Sequence, residues 1–172
     1  LFQSLYKRFP VGGLLIWNTH ADVTELRGSS TAGAANVKLL LDGQQRVTSL
    51  YGVLRGKPPQ FFENPERTQA FTGLYFNLDD ETFEFYRQTK MSGDPMWISV
   101  TELMLAGPEE ITTRLSTIEG TQPADVYRYI NRAQRLVSIR DIEFHDENIS
   151  GDDKTVDVVV DIFNRVNSGG TK

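Results

Sequence analysis

The 172-residue chain has no cysteine, which excludes disulfides, cysteine-ligated zinc and thiol catalysis, and fits a reducing interior. Its two histidines, His20 and His145, stand alone, in no HNH-like or HxxxH arrangement, so a metal–histidine nuclease centre is not expected. The Gly-x4-Gly-Lys-Ser/Thr signature is missing as well, so this is not a P-loop enzyme. No apolar run approaches the ~20 residues a membrane span needs, and no basic-then-apolar leader opens the chain. Positive charge is also scarce: 18 Lys and Arg face 23 Asp and Glu, and a net charge of −5 argues against a uniformly basic nucleic-acid binder.

What remains is ordinary for a folded domain: 39% hydrophobic and 24% charged residues, in a length that suits one domain with a proper core. The most informative stretch is Leu39-Leu40-Leu41-Asp42-Gly43-Gln44-Gln45-Arg46. Three leucines read as a buried strand, Gly43 as a tight turn, and Val47, Leu50, Tyr51 and Leu54 as the apolar stripe of a helix. Gln45 points away from that stripe and Arg46 lies on its flank, so the core needs neither. The first N–H groups of such a helix lack intrahelical partners and sit at the positive end of its dipole, which suits a phosphate or another anion. Arg46 adds a planar fork of donors. The plainer alternative is that Asp42 caps the helix while Gln44 and Gln45 are solvated.

Before this stretch, Leu1, Leu5 and Tyr6 fit the end of an amphipathic helix broken at Pro10, and Leu14 to Trp17 reads as a strand buried on both faces. Residues 18–36, rich in Thr, Ser, Gly and Ala, read as a surface loop. After the central helix, Leu74–Leu78 and Thr82–Tyr86 flank Asp79-Asp80-Glu81 as a β-hairpin, whose aromatics are most simply core. Met96–Val100 is a short strand. Two helices follow, one carrying Ile111, Leu115 and Ile118, the other spanning Thr121–Val137 with Arg128, Arg132 and Arg135 on a solvated polar side. Ser138–His145 reads as a strand ending in a turn. Thr155–Val166 fits both periodicities; its length and a cap at Asp152 or Asp153 favour a helix.

A second constellation follows that helix: Arg165-Val166-Asn167-Ser168-Gly169-Gly170-Thr171. Ser-Gly-Gly is an ordinary helix stop, which accounts for the glycines but not for Arg165, Asn167 and Thr171. A glycine-rich turn also presents successive N–H groups as an anion nest. If it and the Gly43–Arg46 turn face one cleft, Arg46 and Arg165 neutralise a polyphosphate.

Three stretches carry a family resemblance. Asp42-Gly43-Gln44-Gln45-Arg46 matches a DGQQR signature. Arg8-Phe9-Pro10-Val11-Gly12 leading into Leu14-Leu15-Ile16-Trp17 resembles an "RxPIGSLLLW" strand. Phe163-Asn164-Arg165-Val166-Asn167-Ser168-Gly169-Gly170-Thr171 resembles an "FxRxNxGGT" motif. Together, in this order, they resemble the N-terminal domain of GmrSD-type modification-dependent restriction enzymes and related phage-defence proteins. The middle of the chain carries no such signature.

The resemblance implies an α+β (mixed α/β), ParB/sulfiredoxin-like domain: a small mixed sheet with flanking helices and a helical and hairpin insertion. Residues 1–172 would form a single domain, cut at both ends. It implies binding and hydrolysis of a nucleoside triphosphate with Mg²⁺, regulating DNA cleavage by a separate C-terminal nuclease domain, in the cytoplasm and with no membrane partner. Asp42, Gln44, Gln45 and Arg46 would be catalytic, with Asp42 holding Mg²⁺ or capping the helix. Phosphate would be bound by Gly43, Arg46, Arg8, Arg165, Asn167, Ser168, Gly169 and Gly170. The rivals are a DNA-binding module that senses modified DNA without turnover, and a DNA nickase. Homo-oligomerisation is left open.

Overall fold

The computed structural model describes residues 1–20, 36–59, 73–107, 109–116, 122–151 and 153–168. They form a mixed α+β structure with two three-stranded sheets, the class expected from the sequence. The chain divides into two compact units, residues 1–11 with 46–143 and residues 12–45 with 144–172.

In the second unit, β1 (Leu14–Thr19) is the central strand, antiparallel to β2 (Val37–Asp42) on one side and parallel to β6 (Asp146–Ile149) on the other. The parallel pairing starts where Leu14 donates its N–H to the His145 carbonyl at 2.8 Å. A Cβ on Gly13 would come within 2.8 Å of that same carbonyl oxygen, so only glycine admits this approach. One face of the sheet buries Leu15, Trp17 and Ile149 against Val159 of the last helix, α7 (Val156–Ser168), with Leu39, Leu41, Ile162 and Phe163 packed round them. That spacing of Val159, Ile162 and Phe163 on one face resolves the two-way periodicity of the segment in favour of a helix.

Three expectations change here. The strand expected over Ser138–His145 is a short 3-10 turn (Ser138–Asp141), and β6 follows at Asp146–Ile149. The reason is that Asp146, Glu147 and Asn148 are exposed, so their place in the sheet rests on backbone pairing with β1 rather than on a buried apolar face. The three leucines of β2 are half-buried rather than buried, as suits an edge strand, and in β1 only Leu15 and Trp17 are fully buried. The first residues of the expected 18–36 loop extend β1; residues 21–35 of it lie outside the described residues.

In the first unit, the expected hairpin forms from β3 (Leu74–Asn77) and β4 (Phe83–Phe85), and β5 (Trp97–Ser99) pairs on the other side of β3. Phe76 is fully buried, with its ring 5.0 Å from Tyr6 of α1 (Phe2–Tyr6) and 4.9 Å from Phe83, so these hairpin aromatics join the core, whereas Phe85 and Tyr86 are exposed. After the short α3 (Gln88–Met91), helices α4 (Val100–Ala106), α5 (Glu109–Ser116) and α6 (Pro123–Val137) contribute Val100, Leu103, Leu115, Ala133 and Leu136 to this core. The long helix α2 (Gln44–Arg55) crosses the division after Gln45.

Candidate functional site

Strand β2 ends in an irregular step. Ile16 pairs with Leu40 but Leu15 pairs with Asp42, leaving Leu41 as an extra residue. Such a bulge re-aims the strand, and here it sets Asp42 opposite the start of β1. Gly43 is buried with φ +92°, a left-handed backbone that glycine adopts freely, and α2 begins at the next residue. The expected strand–glycine–helix junction is therefore present, with Gln44, Gln45 and Arg46 forming the first helical turn.

The five residues of this turn are not equivalent. Gln44 donates from Nε2 to the Leu40 carbonyl at 2.7 Å, tying the helix back to the strand it leaves. Gln45 is exposed, and Asp42 and Arg46 are half-buried, each with an interaction within the protein. The turn thus combines two exposed amides, one of them bonded back to the strand, with one carboxylate and one guanidinium at the start of a twelve-residue helix.

Helix α7 starts beside Asn18, Thr19 and Ser150, at the carboxyl ends of β1 and β6, and packs back along the sheet through Val159, Ile162 and Phe163. Its last turns carry Arg165 and Asn167. Arg165 makes an ion pair with Asp161 at 3.6 Å, but both side chains are largely in solvent, so the pair restrains it little. Ser168 donates from Oγ to the Arg165 carbonyl at 3.2 Å, an ordinary helix-end contact, and Asn167 is exposed. Gly169 and Gly170 lie outside the described residues.

Arg8 belongs to the first unit, has φ +59°, and donates from Nη2 to Ser138 Oγ at 2.7 Å. One arm of its guanidinium is engaged in that local contact. The arginines of α6 are also committed. Arg132 donates from Nη1 to the carbonyls of Leu78 and Asp79, each at 2.7 Å, and from Nη2 pairs with Glu81 at 3.0 Å. Arg135 reaches Glu81 at 3.4 Å and Arg128 reaches Asp79 at 3.2 Å. Tyr6 donates its hydroxyl to Glu81 at 2.6 Å. Burial and that carboxylate push the Tyr6 phenol above its ordinary range. The solvated charged face expected on α6 is in fact a clamp on the β3–β4 turn, where Glu81 is held at φ +55°.

Sequence reasoning missed one feature. A cavity of about 710 Å³ lies within the second unit, at the carboxyl ends of β1 and β6, where Asn18, Asn36, Ser150, Lys154, Thr155 and Asp157 converge. Only the parallel pairing of β1 with β6 brings Asn18 to Ser150, and that pairing has no local sequence signal.

The architecture defines a mixed α+β domain with a strand–glycine–helix turn as its most distinctive polar feature. The family model for the GmrSD restriction endonuclease N-terminal domain matches residues 1–172, and the chain belongs to that family. Membership associates it with restriction endonucleases and fits a role in phage defence. No curated protein matches the chain. No helix among the described residues is long and apolar enough to cross a membrane.

Proposed function

We propose that the Asp42–Arg46 turn binds the phosphates of a nucleoside triphosphate, and that the domain hydrolyses it to govern DNA cleavage by an attached nuclease. The observation that carries this reading is the junction itself: β2 bulges, Gly43 turns at φ +92°, and α2 opens directly with Gln44, Gln45 and Arg46. The opening N–H groups of α2 and the Arg46 guanidinium supply the donors and positive charge that phosphoryl transfer requires.

Within the turn the roles divide. Gln44 is committed to the Leu40 carbonyl and shapes the site, whereas exposed Gln45 is the amide placed to orient water. That water attacks the γ-phosphorus, the bond to the β–γ bridging oxygen breaks, and nucleoside diphosphate and inorganic phosphate leave. Mg²⁺ at such sites takes one or two carboxylates and completes its shell with phosphate oxygens and water, a requirement that Asp42 meets as the turn's one carboxylate. When bound, Mg²⁺ would offset the charge developing on the phosphates. Arg165 and Asn167 at the end of α7 extend the site. Arg8, held by Ser138, is left out.

The rival, a DNA-binding module without turnover, would set Arg46 and Arg165 on DNA phosphates and would gain from further arginines directed outward along a groove. Arg8, Arg128, Arg132 and Arg135 are instead hydrogen-bonded within the first unit. Thermal-shift titration with each nucleoside triphosphate, with and without Mg²⁺, tests the proposal. A ligand that binds only the folded state raises its stability with concentration. The expected result is a saturable, Mg²⁺-dependent shift that disappears in Arg46→Ala. Duplex DNA binding that weakens steeply with salt, with no nucleotide shift, would favour the rival.

A further inference from the structure

We infer that the cavity at the carboxyl ends of β1 and β6 is a second ligand site, which takes a single nucleoside unit by its base and sugar rather than by its phosphates. The volume of about 710 Å³ falls within the ~300–1,000 Å³ range of small-molecule sites. Its walls come from the end of β1 (Asn18, Thr19), from Asn36 just before β2, from Ser150 and Gly151 just after β6, and from the segment that leads into and opens α7, all within the second unit, so it is a recess at one end of the sheet and not the end of one helix alone.

The lining chemistry selects the ligand. Asn18 is fixed by two hydrogen bonds from its Nδ2, to Asn148 Oδ1 at 3.2 Å and to Ser150 Oγ at 2.8 Å. Those bonds use the donor side of the amide and leave the Asn18 carbonyl oxygen as an acceptor, while Ser150, having accepted, keeps its own proton to donate. Asn36 and Thr155 add further neutral donors and acceptors, and Val156 supplies an apolar wall. Charge is nearly balanced: the Lys154 ammonium is paired with Asp153, and the Asp157 carboxylate faces the same space. Among the described lining residues, a polyphosphate would meet that carboxylate with one ammonium, already partnered, to offset it. A purely apolar ligand would strand the amides and hydroxyls. A planar, amide-edged ring on a hydroxyl-bearing sugar satisfies both constraints. His20 at the rim is of a type on which bases stack. Membership of a restriction-endonuclease family makes nucleic acid the relevant material.

The nucleoside could come from a free nucleotide or from a residue turned out of a DNA strand, and the test separates these sources. Free nucleosides and short single-stranded and duplex oligonucleotides are titrated into the ¹⁵N-labelled chain without Mg²⁺. Backbone amides of residues 150 and 153–157 are followed in the wild type, in Arg46→Ala and in Val156→Trp, which fills the cavity without removing a hydrogen bond. The expected result is saturable shifts at those amides, retained in Arg46→Ala and weakened at least tenfold in Val156→Trp. Shifts with free nucleosides identify the free source; shifts with oligonucleotides alone identify the strand. Asn18→Leu, which removes the acceptor, gives the same loss by a route independent of the tryptophan. No shift at these amides with any probe, or shifts unchanged in both cavity variants, would overturn the inference. Because Arg46 is outside the cavity, this outcome is distinguishable from failure of the triphosphate site.

Discussion

Gln44 donates its side-chain amide to the carbonyl of Leu40, four residues back, at 2.7 Å. The bond spans the glycine turn and joins the last residues of β2 to the first of α2. It distinguishes two adjacent, exposed glutamines: the side chain of Gln44 is tied back to the strand and that of Gln45 is not. Gln44→Ala should therefore lower stability by about 1 kcal/mol, the net worth of one intramolecular hydrogen bond. Gln45→Ala should leave stability unchanged and reduce nucleotide turnover. Paired urea melts and phosphate-release assays check the division; equal stability losses in the two variants would contradict it.

Gly43 and Gly13 are irreplaceable for different reasons. At Gly43 the backbone is left-handed, so Gly43→Ala should cost about 1–2 kcal/mol through Cβ sterics. At Gly13 a Cβ would meet the His145 carbonyl oxygen at 2.8 Å, so Gly13→Ala should push the start of β1 away from the residue preceding β6. Hydrogen exchange at the Leu14 amide, which bonds that carbonyl, should accelerate in Gly13→Ala and stay slow in Gly43→Ala.

Helix α7 rests on little. Val159 is the one residue it fully buries, while Val156, Val158, Val160 and Val166 are exposed. Val159→Ala should destabilise the second unit by about 2 kcal/mol, and Val160→Ala by far less. Denaturation followed through Trp17, which packs in the same cluster, reads the difference.

Tyr6 should make stability depend on pH in the alkaline range. Burial, and then the hydrogen bond to Glu81, hold its folded pKa above that of the unfolded chain. A group shifted upward contributes stability that is fully present below its unfolded pKa, about 10 for tyrosine, and is lost as pH rises beyond it. Tyr6→Phe should remove that component of alkaline destabilisation, while also losing the Glu81 contact at neutral pH. Urea melts at a series of pH values between neutrality and the alkaline limit measure both.

What was legible in the sequence was local. Gly43 between an apolar strand and a 3.6-period stripe announced the turn, and Asp79-Asp80-Glu81 between two aromatic runs announced the hairpin. What was hidden depended on residues far apart in the chain. Asp146, Glu147 and Asn148 carry no strand pattern, yet β6 forms because β1, some 130 residues earlier, offers them a parallel partner. The apolar pattern of Ile139 and Ile142 pointed instead to a strand where a 3-10 turn buries Ile139. With β6 misplaced, Asn18 and Ser150 had no reason to meet, and the cavity between them could not be anticipated. The α6 arginines were similarly opaque: their spacing defined a face, but only the fold brought Glu81 and the Leu78 carbonyl to it.

Binding of a nucleoside triphosphate at the turn linking β2 to α2 is read directly by amide chemical-shift mapping with Mg²⁺ and each triphosphate. The amides of Gly43, Gln44, Gln45 and Arg46 should move together and saturably, with those at the end of α7 following, and Arg46→Ala should abolish the effect. Triphosphate binding that leaves these four amides unmoved would contradict binding at the turn.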